Sequence, residues 1–118
     1  MLAIPELIKI VSQNIRCIDA ATAFKECHQE NGIMIDVREP AEVLASAIEG
    51  SINIPRGVLE MKIAEFCPSV DTAIYIHCAS GARAALAAEQ LQRVGYKKVT
   101  AISCAIDVIH QAQEKTVG

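Results

Sequence analysis

Thr72-Ala73-Ile74-Tyr75-Ile76-His77-Cys78-Ala79-Ser80-Gly81-Ala82-Arg83 is the stretch on which the fold is decided. Its first half, Thr72 to His77, is the clearest strand in the chain. Small residues and a glycine follow, and then an Ala-rich segment. There Ala84, Ala87, Ala88, Leu91 and Val94 recur on one stripe at helical spacing. The spacing predicts a helix over Ala82–Val94, stopped by Gly95. In open α/β sheets, ligands sit beyond the carboxyl ends of the strands. Cys78, the first residue past the strand, stands at such an end.

Working outward, the same alternation recurs. Ile33-Met34-Ile35-Asp36-Val37 is a continuous apolar strand, and continuity of that kind means burial on both faces in a parallel sheet. Ahead of it, Glu6–Ile15 reads as an amphipathic helix with Leu7, Ile10, Val11 and Asn14 on one side. Ile15–Ile18 is a short strand. Asp19 is a good N-cap for a helix over Ala20–Gln29, whose inner face is Ala20, Ala23, Phe24 and Cys27. Asn31-Gly32 stops that helix. After the second strand, Pro40 suits a first helical turn and Ala41–Ala45 continue it. Ser51–Ile54 is a strand stopped by Pro55. Gly57–Phe66 is helical, with Val58, Met61 and Ile63 or Phe66 available for the core. Lys98–Ile102 and Ile106–Lys115 complete the series as strand and helix. Strand-helix alternation of this kind predicts an α/β domain with a mostly parallel five-stranded sheet and helices on both faces. The whole of 1–118 reads as one domain, with 1–14 as a helical N-terminal extension.

Composition agrees. Hydrophobic residues make up 52% but aromatics only 3%, so the core is built from Ala, Ile, Val and Leu. A formal charge of -3 gives no basic excess for nucleic acid. No apolar run reaches the length of a membrane span, and Met1–Ile10 lacks the pattern of a signal peptide. The expectation is a cytoplasmic protein that engages neither nucleic acid nor membrane. The five cysteines, Cys17, Cys27, Cys67, Cys78 and Cys104, are an odd, widely spaced set without a CxxC pair. They form neither a disulfide framework nor a zinc knuckle. His28 and His110 fall on predicted helices as surface residues, without metal-ligand spacing.

Cys78 differs from the other cysteines in context. The small residues from Ala79 to Ala82 let the backbone curl so that N–H groups converge on the sulfur, and the helix N-terminus adds partial positive charge. Cysteines in such surroundings favour the thiolate, which is the nucleophile. Arg83 contributes a cation and a fork of donors suited to an oxyanion.

Four stretches resemble the rhodanese-like family. Ile35-Asp36-Val37-Arg38-Glu39-Pro40 with Glu42 is similar to its Asp-Val-Arg box. Glu49-Gly50-Ser51-Ile52-Asn53-Ile54-Pro55 is similar to its Gly-Ala-Ile-Asn-Ile-Pro strand. Cys78–Arg83 resembles its active-site loop, and Ala87 through Val99 the helix and strand that follow. The resemblance spans roughly Ile15 to Asp107. It implies a single-domain sulfurtransferase in which Cys78 takes sulfane sulfur from thiosulfate or a persulfide. The sulfur then passes to cyanide or a thiol, including a protein thiol. Ala79, Ser80, Gly81, Ala82 and Arg83 would cradle the persulfide and an anionic donor. Asp36 and Arg38 would support the loop or the Arg83 side chain. No metal or organic cofactor is implied.

The sequence departs from the family at Ser46-Ala47-Ile48, where Gly-His-Ile is frequent, and at Ser103-Cys104-Ala105, where a glycine pair is frequent. It also lacks the tryptophan common near the final helix. Cys104 follows a strand that in the family's fold lies beside the one delivering Cys78. It is read either as a small residue in a glycine's place or as a thiol that resolves a Cys78 persulfide or forms a disulfide with Cys78. Two other functions remain open: a non-catalytic binding or regulatory module, and a phosphatase or arsenate reductase on a related fold. Phosphatase loops place arginine six positions after the cysteine. Arg83 is five positions after Cys78, which makes a smaller nest. His77 reads as a strand residue rather than an acid or base.

Overall fold

In chain order the elements are α1 (Ile4–Ser12), β1 (Arg16–Ile18), α2 (Ala20–Gln29), β2 (Ile33–Asp36), α3 (Pro40–Ala45) and β3 (Ile52–Asn53). A 3-10 turn (Arg56–Val58) then leads into α4 (Leu59–Phe66), followed by β4 (Ala73–His77), α5 (Ala82–Val94), β5 (Lys98–Ile102) and α6 (Ile106–Val117). The computed structural model describes residues 1–117. Its five strands form one sheet in the order β1-β5-β4-β2-β3. Every pairing is parallel, so the expected mostly parallel sheet is parallel throughout. Among the described residues no helix is long and apolar enough to cross a membrane.

Strand β4 lies at the centre with all five residues buried, as its apolar run requires. Side chains alternate between the faces of a strand, and the two faces build two layers. Ile74 and Ile76 pack with Leu59 and Ile63 of α4 and with Ala84, Ala87, Ala88 and Leu91 of α5; Cys78 belongs to this layer. Ala73 and Tyr75 pack on the other face with Ala20 and Ala23 of α2 and Ile109 of α6. The alanine stripe lets α5 lie close to the sheet, which compensates in packing for the shortage of large aromatic side chains.

Local chemistry fixes the joins. Asp19 accepts a bond from Thr22 N at 2.7 Å and starts α2. Glu39 and Glu42 form a capping box ahead of α3, with Pro40 in the first turn. Asn31, at φ 52, ends α2. Gly32 follows where a Cβ would stand 2.8 Å from the Ala73 carbonyl oxygen. Glycine at 32 therefore lets this turn press against β4.

The structure corrects several inward-facing assignments. Helix α1 starts two residues early, with Pro5 in its first turn, and ends at Ser12 so that the chain can extend into β1. Its buried residue is Val11, while Ile10 is 48% exposed. In α4 the inward pair is Leu59 and Ile63, one helical turn apart. Met61 lies about half a turn from both and is exposed, as is Phe66. Val94, the last residue of α5, is also exposed.

Candidate active site

Cys78 follows β4 directly, and its side chain is fully buried. The loop then curls through Gly81, which has φ +99 and is the N-cap residue of α5 without a side chain to cap with. The sulfur of Cys78 takes that place. It accepts from Gly81 N at 3.0 Å and from Ala84 N at 3.3 Å. A helix leaves its first amides without intrahelical partners, and here two such amides point at a thiol. Of the segment Ala79–Arg83 named from the sequence, Gly81 donates to the sulfur, and the second donor, Ala84, lies one residue past that segment. Across the loop, Ile106 N donates to Ala79 O at 2.9 Å. A Cβ on Gly81 would lie 3.1 Å from Ser103 O. The turn between β5 and α6 therefore packs directly on the cysteine loop.

Arg83 forms a two-pronged ion pair with Glu42, through Nη1–Oε1 at 2.6 Å and Nη2–Oε2 at 2.9 Å. Glu42 also accepts from Glu39 N at 3.0 Å, the capping contact of α3. The hydrogen-bonded guanidinium, helped by the Glu39 amide, holds the Glu42 carboxyl down at about 2. Both side chains are about a third exposed, so the pair stands at the protein surface beside the loop.

Asp36 and Arg38 are a different kind of pair, each almost completely buried. Arg38 Nη2 donates to Asp36 Oδ2 at 2.8 Å, and Arg38 Nε lies 3.1 Å from both carboxylate oxygens. The remaining guanidinium donors go to Ser46 O at 2.8 Å, Ser46 Oγ at 3.0 Å and Glu42 O at 3.4 Å. Burying two charges is tolerable only when they are paired and their other hydrogen-bonding groups satisfied. Asn53 Nδ2 adds bonds to the carbonyls of Asp36 and Arg38 at 2.9 Å. Val37 N donates to His77 O at 3.0 Å, joining the end of β2 to the end of β4. Arg38 reaches Arg83 only indirectly, through Glu42.

His77 is a buried residue of β4 whose side chain is on the sheet face opposite Cys78. Its Nε2 is 2.5 Å from Ser51 Oγ. Its buried Nδ1 has no hydrogen-bond partner among the described residues and lies 3.8 Å from Asp36 Oδ2. Burial pushes the imidazole down to about 4, with Arg38 and His110 adding in the same direction against the pull of Asp36. His110, expected at the surface, is half-buried, with Nε2 3.2 Å from Ser46 O. The sequence carries no signal for these contacts, because strands and helices far apart in the chain bring them together.

Cys78 and Cys104 are both free thiols. Cys104 follows β5, the neighbour of β4, but packs against the layer formed with α2 and α6. Its sulfur accepts from Ala20 N at 3.4 Å. On the other side of the cysteine loop, Ser80, Gly81 and Ala82 wall an apolar cleft of about 390 Å³ together with Ile4 and Ile8 of α1 and Cys17 of β1. Among the described residues no group of three or more His, Cys, Asp or Glu could hold a metal ion.

The model of the rhodanese-like domain matches residues 19–112. A putative mitochondrial thiosulfate sulfurtransferase of Schizosaccharomyces pombe is 32% identical over 104 residues, covering 75% of this chain and 73% of that protein. Among solved structures, a rhodanese-related protein of Thermoplasma volcanium superposes with a TM-score of 0.68 at 31% identity, over 81% of this chain and 91% of the other. A Rhodopseudomonas palustris protein of unknown function, described as a possible tyrosine phosphatase, superposes with a TM-score of 0.81 at 26% identity, covering 95% and 92%. With its family match spanning most of the sheet and both helical layers, the chain belongs to the rhodanese-like domain family.

Proposed function

We propose that the protein is a sulfurtransferase that carries sulfane sulfur as a persulfide on Cys78. The observation that carries this reading is the Cys78 sulfur seated on the amides of Gly81 and Ala84 at the N-terminus of α5. Fixed N–H donors stabilise negative charge on sulfur without having to reorganise during reaction. The sulfurtransferase relative named above supports the same reading.

The cycle has two displacements. In the first, the Cys78 thiolate bonds to the outer sulfur of the donor, and the donor's S–S bond breaks. Sulfite leaves with the electron pair if the donor is thiosulfate; a thiolate leaves if the donor is a persulfide. In the second, a thiol or cyanide attacks the terminal sulfur of the Cys78 persulfide, and the Cys78 thiolate departs. The sulfur moves as a neutral atom, so neither step needs an outside oxidant, metal or organic cofactor. Asn53 and the buried Asp36–Arg38 pair join the ends of β2 and β3, and Val37 N ties the end of β2 to that of β4.

The test is sulfur transfer to cyanide from thiosulfate and from a polysulfide, comparing the parent with Cys78→Ser. Transfer by the parent alone supports the reading. Transfer by both proteins, or by neither, counts against it. A phosphatase is the second reading, favoured by the description of the Rhodopseudomonas palustris neighbour. The five-residue step from Cys78 to Arg83 speaks against it, and Cys78-dependent hydrolysis of p-nitrophenyl phosphate would bring it forward. A binding module is the outcome if Cys78 proves inert in both assays.

A further inference from the structure

Arg83 is the cation nearest in sequence to the sulfur cradle, yet its guanidinium is already engaged. Glu42 takes one donor from each terminal nitrogen, at 2.6 and 2.9 Å. The groups that act on Arg83 electrostatically are Glu42, the Cys78 sulfur and Glu39. The other cation at the site, Arg38, is buried and fully committed to Asp36, Ser46 and the Glu42 carbonyl. Two arginines thus stand against the carboxylates of Asp36, Glu39 and Glu42. The donors seen at the sulfur itself are the backbone amides of Gly81 and Ala84, which suit one small anionic atom.

Resting on the Cys78 reading above, we propose that Glu42 sets the donor class of the site. By holding Arg83 in an ion pair, it disfavours dianionic thiosulfate and leaves organic persulfides with an uncharged substituent as the preferred sulfur source. Thiosulfate brings a sulfonate that needs a free cation at the mouth of the cradle, and to obtain one it must displace the Glu42 carboxylate. A persulfide R–S–SH asks only that its terminal sulfur meet Cys78. The thiolate of Cys78 bonds to that sulfur, the S–S bond between it and the R-bearing sulfur breaks, and R–S⁻ leaves with the electron pair. Its proton balance is met by solvent.

Glu42→Gln is the informative substitution. Glutamine occupies the same position of a capping box as glutamate, so the contact to Glu39 N and the start of α3 are retained while the charge is lost. Loading of Cys78 is followed in single turnovers by intact mass, with thiosulfate and with 2-hydroxyethyl persulfide as donors. A charge-assisted hydrogen bond made newly available to an anion is worth about tenfold or more in a rate or binding constant. The expected result is that Glu42→Gln raises the second-order loading constant for thiosulfate by about tenfold, while that for the persulfide changes less than about threefold. Glu42→Ala, which also gives up the cap, shifts the ratio in the same direction and serves as the second variant. Parallel changes for both donors, or slower loading from thiosulfate alone, would overturn the proposal and make the ion pair a brace for the loop. If neither donor loads Cys78 in any of these proteins, the sulfur-transfer reading itself falls.

Discussion

Replacing Gly81 with alanine perturbs the site at the point where backbone conformation, packing and sulfur chemistry meet. Gly81 has φ +99, and a left-handed conformation costs an L-residue roughly 1–2 kcal/mol. The added Cβ would stand 3.1 Å from Ser103 O. Ser103 cannot easily retreat, because its N–H donates to Ile18 O at 3.1 Å at the end of β1. Together these effects should destabilise the fold by about 1–3 kcal/mol, within the range for local backbone strain. For a domain of this size that is a fall of roughly 5–15 °C in melting temperature. The same change moves Gly81 N, which sits 3.0 Å from the Cys78 sulfur. Loss of one preorganised donor to a reacting atom typically lowers a rate about 100-fold or more. Urea unfolding measures the first effect, and single-turnover loading of Cys78 measures the second. A Gly81→Ala protein that melts and loads like its parent would refute both arguments. One that melts lower but loads normally would refute the role given to the amide.

Further predictions follow from the buried polar groups and from one tight approach. Arg38→Met leaves Asp36 charged and unpaired in the interior, and should cost about 3–5 kcal/mol in urea unfolding; adding Asp36→Leu should recover part of that loss. His77 is held near 4 by burial, against about 6.5 in the unfolded chain. Its contribution to stability is complete above that unfolded value and is lost as pH falls toward 4, at roughly 1.4 kcal/mol per pH unit at most, because the unfolded state binds the extra proton. The difference in urea midpoint between pH 7 and pH 5 should shrink in His77→Gln. Gly32→Ala places a Cβ 2.8 Å from the Ala73 carbonyl and should destabilise by about 1–3 kcal/mol, read as a lower urea midpoint with an unchanged slope.

Much of the fold was legible because periodicity and punctuation agree. The boundaries of α2, α5 and β5 match those read from Asp19, the alanine stripe and Gly95. The loop at Cys78 was legible for the same reason: an apolar strand must end, and Gly81 allows the backbone to turn back on the sulfur. Side-chain facing was less legible where helices are short. Ile10, Met61 and Phe66 fit an apolar face, but the phase of α1 and α4 is set by contacts with other elements. Neither the Arg83–Glu42 pair nor the environment of His77 could be read. Glu42 is 41 residues from its partner, and it meets Arg83 only because β2 lies beside β4 in the sheet. The burial of Arg38 was hidden for a related reason. Ser46, standing where the family often has glycine, supplies both its hydroxyl and its carbonyl to the guanidinium.

The central claim is that Cys78 carries sulfur between a donor and an acceptor, and intact-mass analysis of the protein tests it most directly. After incubation with a persulfide or thiosulfate, the protein should gain the mass of one sulfur atom, located on Cys78 by peptide mapping. That mass should disappear on adding a thiol acceptor and should be absent from Cys78→Ser. An unmodified Cys78 with every donor, or an added sulfur that persists in Cys78→Ser, would contradict it.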